Sequence, residues 1–231
     1  MPECRKIRHD VGATLLQLPM FSELSAEHIA PIAAETRERS LARGEILFQR
    51  RDLLTGFYVI LSGQIKLAFA SAQGNEKVVE VLGPLQSFGE AVMLMERPCP
   101  VFAQAVVPTC VLHIPKMRVL ELLRSDASFA QSMLAGMAMR LHSLIQDVES
   151  YSLRSSTQRV IGYLLQNSIL DEIGVIEFVL PTSKQVIASR LNLTPETLSR
   201  IFHELSERKL IEVHGRSVMI NDMAKLREFD Q

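Results

Sequence analysis

The sequence predicts an α+β chain in three parts: a β-roll, one long helix and a C-terminal winged helix-turn-helix. Three patterns carry this reading. Short apolar segments separated by turns run from about Phe21 to Pro115. Apolar residues then recur alternately three and four apart between Ser125 and Ser152. Finally, a capped heptapeptide, Thr194-Pro195-Glu196-Thr197-Leu198-Ser199-Arg200, follows a short amphipathic stretch and precedes a hairpin pattern. The boundaries drawn are 1–124, 125–152 and 153–231, and a change of pattern near residue 152 favours two modest cores over one large one.

The first part reads as strands over Gly44–Gln49, Gly56–Leu61, Gln64–Phe69, Val78–Val81 and Cys110–Ile114. Ser62-Gly63 and Gln73-Gly74-Asn75 mark hairpin turns between them. Regularly spaced short strands imply a jelly roll. A β-sandwich without any ligand produces the same local pattern, so periodicity leaves the two open.

In the second part, Leu134, Met137, Leu141, Leu144, Val148 and Tyr151 form a seam of the a/d type. Such a seam calls for a partner helix, here from a second copy in a parallel two-fold dimer. The alternative is that the stripe packs on its own roll. Phe129, Met133 and Ile145 beside the seam are the residues suited to that task.

The third part carries the chemistry. Thr194 suits the N-cap of a helix, Pro195 its first turn, and Glu196 the positive end of the helix dipole. Glu196, Ser199 and Arg200 share one face at i, i+3 and i+4, while Leu198, Ile201 and Leu205 fill the opposite one. Upstream, Ser183 to Leu191 reads as a shorter helix with Val186, Ile187 and Leu191 apolar, and Asn192 tolerates a left-handed turn. Together these make a helix-turn-helix. The plainer alternative is a helical hairpin with a solvated Glu196/Arg200 ion pair. Downstream, Leu210–Val213 and Ser217–Ile220 flank a His214-Gly215-Arg216 turn and read as a wing, with a further β segment at Val175–Leu180.

A face of this kind can read DNA. Arg200 can donate to O6 and N7 of guanine while Glu196 accepts from the amino group of cytosine, which together favour a G·C pair. Ser199 would meet a neighbouring base or its phosphate. Thr182, Ser183, Lys184, Thr194 and Arg216 are the expected contacts to the DNA backbone. Two such helices must lie about 34 Å apart to read a palindrome, which again asks for a dimer.

Composition agrees and adds limits. Net charge is −1 over 231 residues, so non-specific affinity for DNA is expected to be weak and specific contacts to matter more. No apolar run approaches the ~18 residues that span a bilayer, and the N-terminus lacks the apolar core of a signal peptide, so no membrane partner and a cytoplasmic location are expected. Cys4, Cys99 and Cys110 are scattered without Cys-x-x-Cys spacing, which argues against a disulfide framework. No nucleophile is matched to a base, the histidines lack metal-ligand spacing, and no Gly-rich phosphate loop follows a strand. An enzyme is therefore not expected.

Glu-Thr-hydrophobe-Ser-Arg at 196–200, the roll and the long helix together resemble the cyclic-AMP receptor protein/fumarate-nitrate reductase regulator family of bacterial transcription factors. The resemblance implies a cyclic-nucleotide-binding-type sensory roll, a dimer helix, a TTGAT-type half-site and work with RNA polymerase. In the cyclic-AMP branch an arginine precedes the glutamate; here Pro195 stands there. That branch also follows Gly-Glu, present as Gly89-Glu90, with an Arg-Ser phosphate clamp some ten residues later. The matching stretch is Cys99-Pro100-Val101-Phe102, which has no cation, and Arg97 does not match the position. Cyclic AMP is therefore not expected. Nor is the iron-sulfur cluster of the fumarate-nitrate branch, because a cubane normally takes four thiolates and the chain has three cysteines.

Glu90–Met95, Ala103–Pro108 and Pro195-Glu196-Thr197 look like the dissimilatory nitrate respiration regulators, which respond to nitric oxide and are proposed to use haem. By that resemblance Gly89, Glu90, Met93 and Met95 are candidates for an effector pocket. Axial ligands for haem would come from His9, His113, His142, Met95 or a Pro2 amine exposed by methionine removal. The plainer readings make Met93 and Met95 core filler, His113 a strand-end residue and His142 a polar position of the dimer helix. A constitutive regulator without effector remains the alternative.

Overall fold

The computed structural model describes residues 10–22, 24–70, 76–167, 169–170, 176–180 and 183–229, with side chains at 151, 169–170 and 176–179 left aside. Cys4, Pro2, His9, the turn at 73–75, Val175, Thr182 and the Tyr151 side chain lie outside that description. The elements in order are α1 (Val11–Leu16), α2 (Ala26–Glu35), β1 (Arg37–Leu41), β2 (Ile46–Phe48), β3 (Gly56–Ser62), β4 (Ile65–Ala70), β5 (Glu76–Leu82), β6 (Ser87–Phe88), α3 (Glu90–Met95), β7 (Phe102–Ala105), β8 (Thr109–Pro115), α4 (Lys116–Ser125), α5 (Ala127–Leu153), α6 (Ser156–Asn167), β9 (Ile169–Leu170), β10 (Ile176–Val179), α7 (Lys184–Arg190), α8 (Pro195–Glu207), β11 (Ile211–His214), β12 (Ser217–Ile220) and α9 (Met223–Glu228). They form two compact units, Met1–Ser143 and Leu144–Gln231. The division falls inside α5, whereas the sequence reading set the helix apart as a segment of its own.

In the first unit two antiparallel sheets face each other, ordered β1-β8-β3-β6 and β2-β7-β4-β5. Strand alternation sorts side chains between two cores. Tyr58 and Ile60 of β3 turn toward Phe48, Phe88 and Val111 in the core between the sheets. Phe57 and Val59 turn the other way, into a core with Leu15, Phe21, Ile32, Val119, Phe129 and Met133 from the helices. Both faces of β3 are thus apolar, which explains its continuous Phe57–Leu61 run. At the Ser62-Gly63 turn, Gly63 has φ +85, and a Cβ there would stand 2.4 Å from the Pro108 carbonyl oxygen, so only glycine fits.

The long helix begins two residues later than the pattern suggests. Ser125 ends α4, and the Asp126 carboxylate accepts hydrogen bonds from the Ser128 and Phe129 N–H groups at 2.9 and 3.0 Å, starting α5 afresh. Those N–H groups, the Phe129 one foremost, hold the Asp126 carboxyl below its ordinary range. Phe129 and Met133 are buried against the roll as expected. Two neighbours exchange roles: Met137 is partly buried on the same core, while Ile145 is 58% exposed. Leu134, Leu141, Leu144 and Val148 are all exposed, whereas Met137 of the same stripe rests on the roll's core.

In the second unit β11-β12-β10-β9 form a small antiparallel sheet. His214 pairs with Ser217, so the wing turn is shorter than the His214-Gly215-Arg216 reading and its bend falls on Gly215 and Arg216. Val160, Ile161 and Leu164 of α6, Ile187 and Ala188 of α7, and Leu198, Ile201, Phe202 and Leu205 of α8 share one core with Val218, Ile220 and Leu226.

Phe129 stacks on Phe21 with ring centroids 5.3 Å apart. Phe129→Ala is expected to destabilise the first unit by about 3–5 kcal/mol, measured as a lowered urea midpoint for that unit's transition.

Candidate nucleic-acid interface and sensory roll

The α7–α8 pair takes the form its sequence dictates. Ser183 caps α7, its hydroxyl accepting from the Val186 N–H at 3.4 Å, and Asn192 adopts φ 57 in the turn. Thr194 caps α8, accepting from the Thr197 N–H at 3.2 Å, and Pro195 occupies the first turn. With Leu198, Ile201, Phe202 and Leu205 buried, Glu196, Ser199 and Arg200 are all exposed on the opposite side. The Glu196 carboxyl is held below its usual value, first by its own backbone N–H and then by the Thr194 hydroxyl. Exposed acceptor, hydroxyl and guanidinium therefore stand together over roughly one turn of helix, as base reading requires.

The expected backbone contacts are less free. The Lys184 ammonium lies 5.2 Å from the centroid of the Phe202 ring. Ser183 and Thr194 spend their hydroxyls on the caps. Arg216 is engaged within the fold: its Nε and Nη2 donate to the Leu180 carbonyl at 3.1 and 2.7 Å, drawing the guanidinium back along the wing. The reason is the β10–β12 pairing, which places Leu180 just past the strand end beside Arg216. Leu180 N–H returns a bond to the Arg216 carbonyl at 2.7 Å. Arg190 at the end of α7 is likewise tied, pairing with Asp147 of α5 at 2.7 Å.

In the roll, Gly89 holds φ +94 and opens α3. Burial pushes the Glu90 carboxyl up, opposed by a hydrogen bond from Ser87. Arg140 of α5 reaches this corner, donating from Nη1 to the Ser87 carbonyl at 2.8 Å and from Nη2 to Glu80 at 2.6 Å. Sequence reasoning passed over Arg140 and Glu80. The available signal was a lone arginine beside an otherwise apolar seam. Cys99 is buried and Arg97 exposed, and no cation stands at Pro100 or Val101.

The effector and haem candidates do not converge. Met93 is buried in the core shared with the helices, not between the sheets, and Met95 is 60% exposed. Both outcomes follow from α3, whose short helical turn points one methionine inward and the other out. His113 is half-buried beside Tyr58, with ring centroids 5.1 Å apart, and its Nε2 meets the Thr55 hydroxyl at 3.3 Å. Burial and then Arg37 lower its pKa. His142 lies exposed on α5. Cys99 is raised to about 11, by burial and then by Asp52. Cys110 donates its thiol to Glu38 at 3.0 Å. No group of three or more His, Cys, Asp or Glu suited to a metal occurs among the described residues. No described helix is long and apolar enough to cross a membrane.

Comparison with known proteins finds the cyclic nucleotide-binding domain over residues 38–126 and the Crp-like helix-turn-helix domain over 158–229. A Silicibacter pomeroyi regulatory protein described as cAMP-binding is similar at 34% identity, over 96% of this chain and 99% of that one, with a TM-score of 0.64. DNR from Pseudomonas aeruginosa is 31% identical over 94% of this chain and 96% of its own, with a TM-score of 0.51. The cyclic AMP receptor protein of Thermus thermophilus is 26% identical over 91% of this chain and 95% of its length.

Because Glu90 sits above its ordinary value of 4.5, the native state keeps a proton that the unfolded chain releases as pH rises through that value. Stability is therefore lost upward from there. Glu90→Gln removes this dependence, and its unfolding free energy should gain on the native protein's between pH 4 and 7, followed by urea titration. Parallel curves for the two proteins would exclude the burial cost.

Proposed function

The chain belongs to the cyclic-AMP receptor protein/fumarate-nitrate reductase regulator (CRP/FNR) family of DNA-binding transcription regulators, which are not enzymes, and from that premise we propose a homodimer that reads a TTGAT-N4-ATCAA-like palindrome. The observation that carries this reading is the exposed Glu196/Ser199/Arg200 face on a capped and fully backed α8. Pro195 leaves no polar side chain for a further guanine contact. The dimer reading is supported by α5, where Leu134, Leu141 and Val148 are each more than 60% exposed at heptad spacing. RNA polymerase is the partner through which such a regulator acts, and the cytoplasm is where it would act.

The regulated genes proposed are anaerobic, denitrification or nitric-oxide-responsive ones, on the resemblance to dissimilatory nitrate respiration regulators. Control by cyclic AMP is disfavoured by the missing cation at Pro100 and Val101. An iron-sulfur cluster is disfavoured by the thiol count. Haem does not fit the described candidates: Met93 is buried elsewhere, Met95 and His142 face outward, and His113 is engaged by Thr55. An effector that binds both arrangements of the dimer equally would shift nothing. We therefore take α5, gripped by Arg140 at the roll, as the element whose packing the signal alters. A constitutive regulator of the same fold differs only in lacking that response.

Selection of bound DNA from a random pool, with and without nitric oxide and haem, tests both readings. A TTGAT-like palindrome enriched only with the effector supports the sensor, and equal enrichment without it supports the constitutive form. Sedimentation of a monomer on that DNA would remove the dimer. In the same assay Arg200→Ala should lose about 1–3 kcal/mol of discrimination at its G·C pair. Unchanged base preference would overturn the assignment of Arg200.

A further inference from the structure

We propose that His203 extends the DNA-contacting face of α8, donating to a backbone phosphate one turn beyond Arg200. The inference rests on the reading of α8 as the DNA-reading helix. His203 lies seven residues after Glu196 and three after Arg200, so at about 100° per residue it falls about 20° from Glu196, between Glu196 and Ser199, on the outward face. Its side chain is 76% exposed, and the neighbouring Phe202 and Leu205 are buried. Over seven residues at ~1.5 Å rise, His203 stands roughly 10 Å along the helix from Glu196. The N-terminal residues of a recognition helix meet base edges, and those further along approach the groove wall, where phosphates are.

The next outward residue sets the limit. Glu207, one turn further, approaches His203 Nε2 with its carboxylate at 3.3 Å and is itself 68% exposed. A carboxylate is repelled by phosphates, and Glu204, 46% exposed, flanks this stretch on the side away from His203, so the DNA backbone is placed across the His203 flank of α8, short of Glu207. His203 is the outward donor on that flank. The imidazole would then exchange Glu207 for a phosphate oxygen. With Lys184 held over Phe202, and Arg216 drawn onto Leu180, the two cations expected to meet the DNA backbone elsewhere are engaged within the fold. That raises the weight of a donor on α8 itself.

The full-length protein is titrated onto its selected palindrome and onto single-base variants of it, over a series of salt concentrations. His203→Ala should weaken binding roughly tenfold, evenly across all variants, with the unfolding midpoint unchanged. His203→Lys should restore affinity and steepen the log-log salt dependence by about 0.9 for each half-site. A His203→Ala protein with native affinity, a lysine variant with an unaltered salt slope, or a change of preference at one base pair would each overturn the phosphate assignment. If the native protein shows no preference for any palindrome, the reading of α8 itself fails, a result distinct from these.

Discussion

The burial of Leu198, Ile201, Phe202 and Leu205 is the constraint on which the DNA-reading surface depends. A helix that sinks four side chains into a core has no remaining freedom of rotation about its axis. Glu196, Ser199 and Arg200 are outward because those four are inward. Thr194 sets the first turn in the same register by accepting the Thr197 N–H. The polar groups around this helix then divide into two sets. Lys184, Arg190 and Arg216 brace the unit through Phe202, Asp147 and the Leu180 carbonyl, whereas Glu196, Ser199 and Arg200 stay on the surface. In a chain of near-neutral charge, that division puts the weight of recognition on geometry rather than on a broad positive field.

The long helix meets a different demand, because its residues serve two purposes on adjacent faces. Phe129, Met133 and partly Met137 are spent on the roll, and Leu134, Leu141, Leu144, Ile145 and Val148 are left outward. Arg140 stands beside that stripe and binds the corner where Ser87, Glu80 and the buried Glu90 meet. A helix side chain thereby enters the corner of the roll that carries Gly89-Glu90. Any molecule accommodated there must reckon with a guanidinium already satisfied by a carboxylate and a carbonyl. Breaking those bonds carries a cost that only a ligand offering comparable acceptors can offset.

Local signals were legible wherever one residue's chemistry decided the outcome. The cap at Thr194, the left-handed Asn192, the Ser62-Gly63 turn and the two wing strands all follow from short-range rules, and the structure forms them with shifts of a residue or so. Several elements escaped: α1, α2, α4, α6 and the short β7 carry weaker periodic signals and exist because they cover or extend a core. The start of α5 is placed two residues early by the apolar pattern, because Asp126 acts as its cap through the Ser128 and Phe129 N–H groups.

For the site, helical spacing alone determined which residues of α8 share a face, because 3.6 residues per turn is a property of the backbone. The same holds for the heptad stripe and for the absence of a cation at Pro100 and Val101, which is visible in the residues themselves. Tertiary structure decided what each polar side chain does with its hydrogen bonds. Arg216 lies on the Leu180 carbonyl, Met93 and Met95 part company across α3, and Arg140 finds Glu80 sixty residues away in the chain. Such pairings depend on distances between strands and helices remote in sequence, and these are set only once the cores have closed.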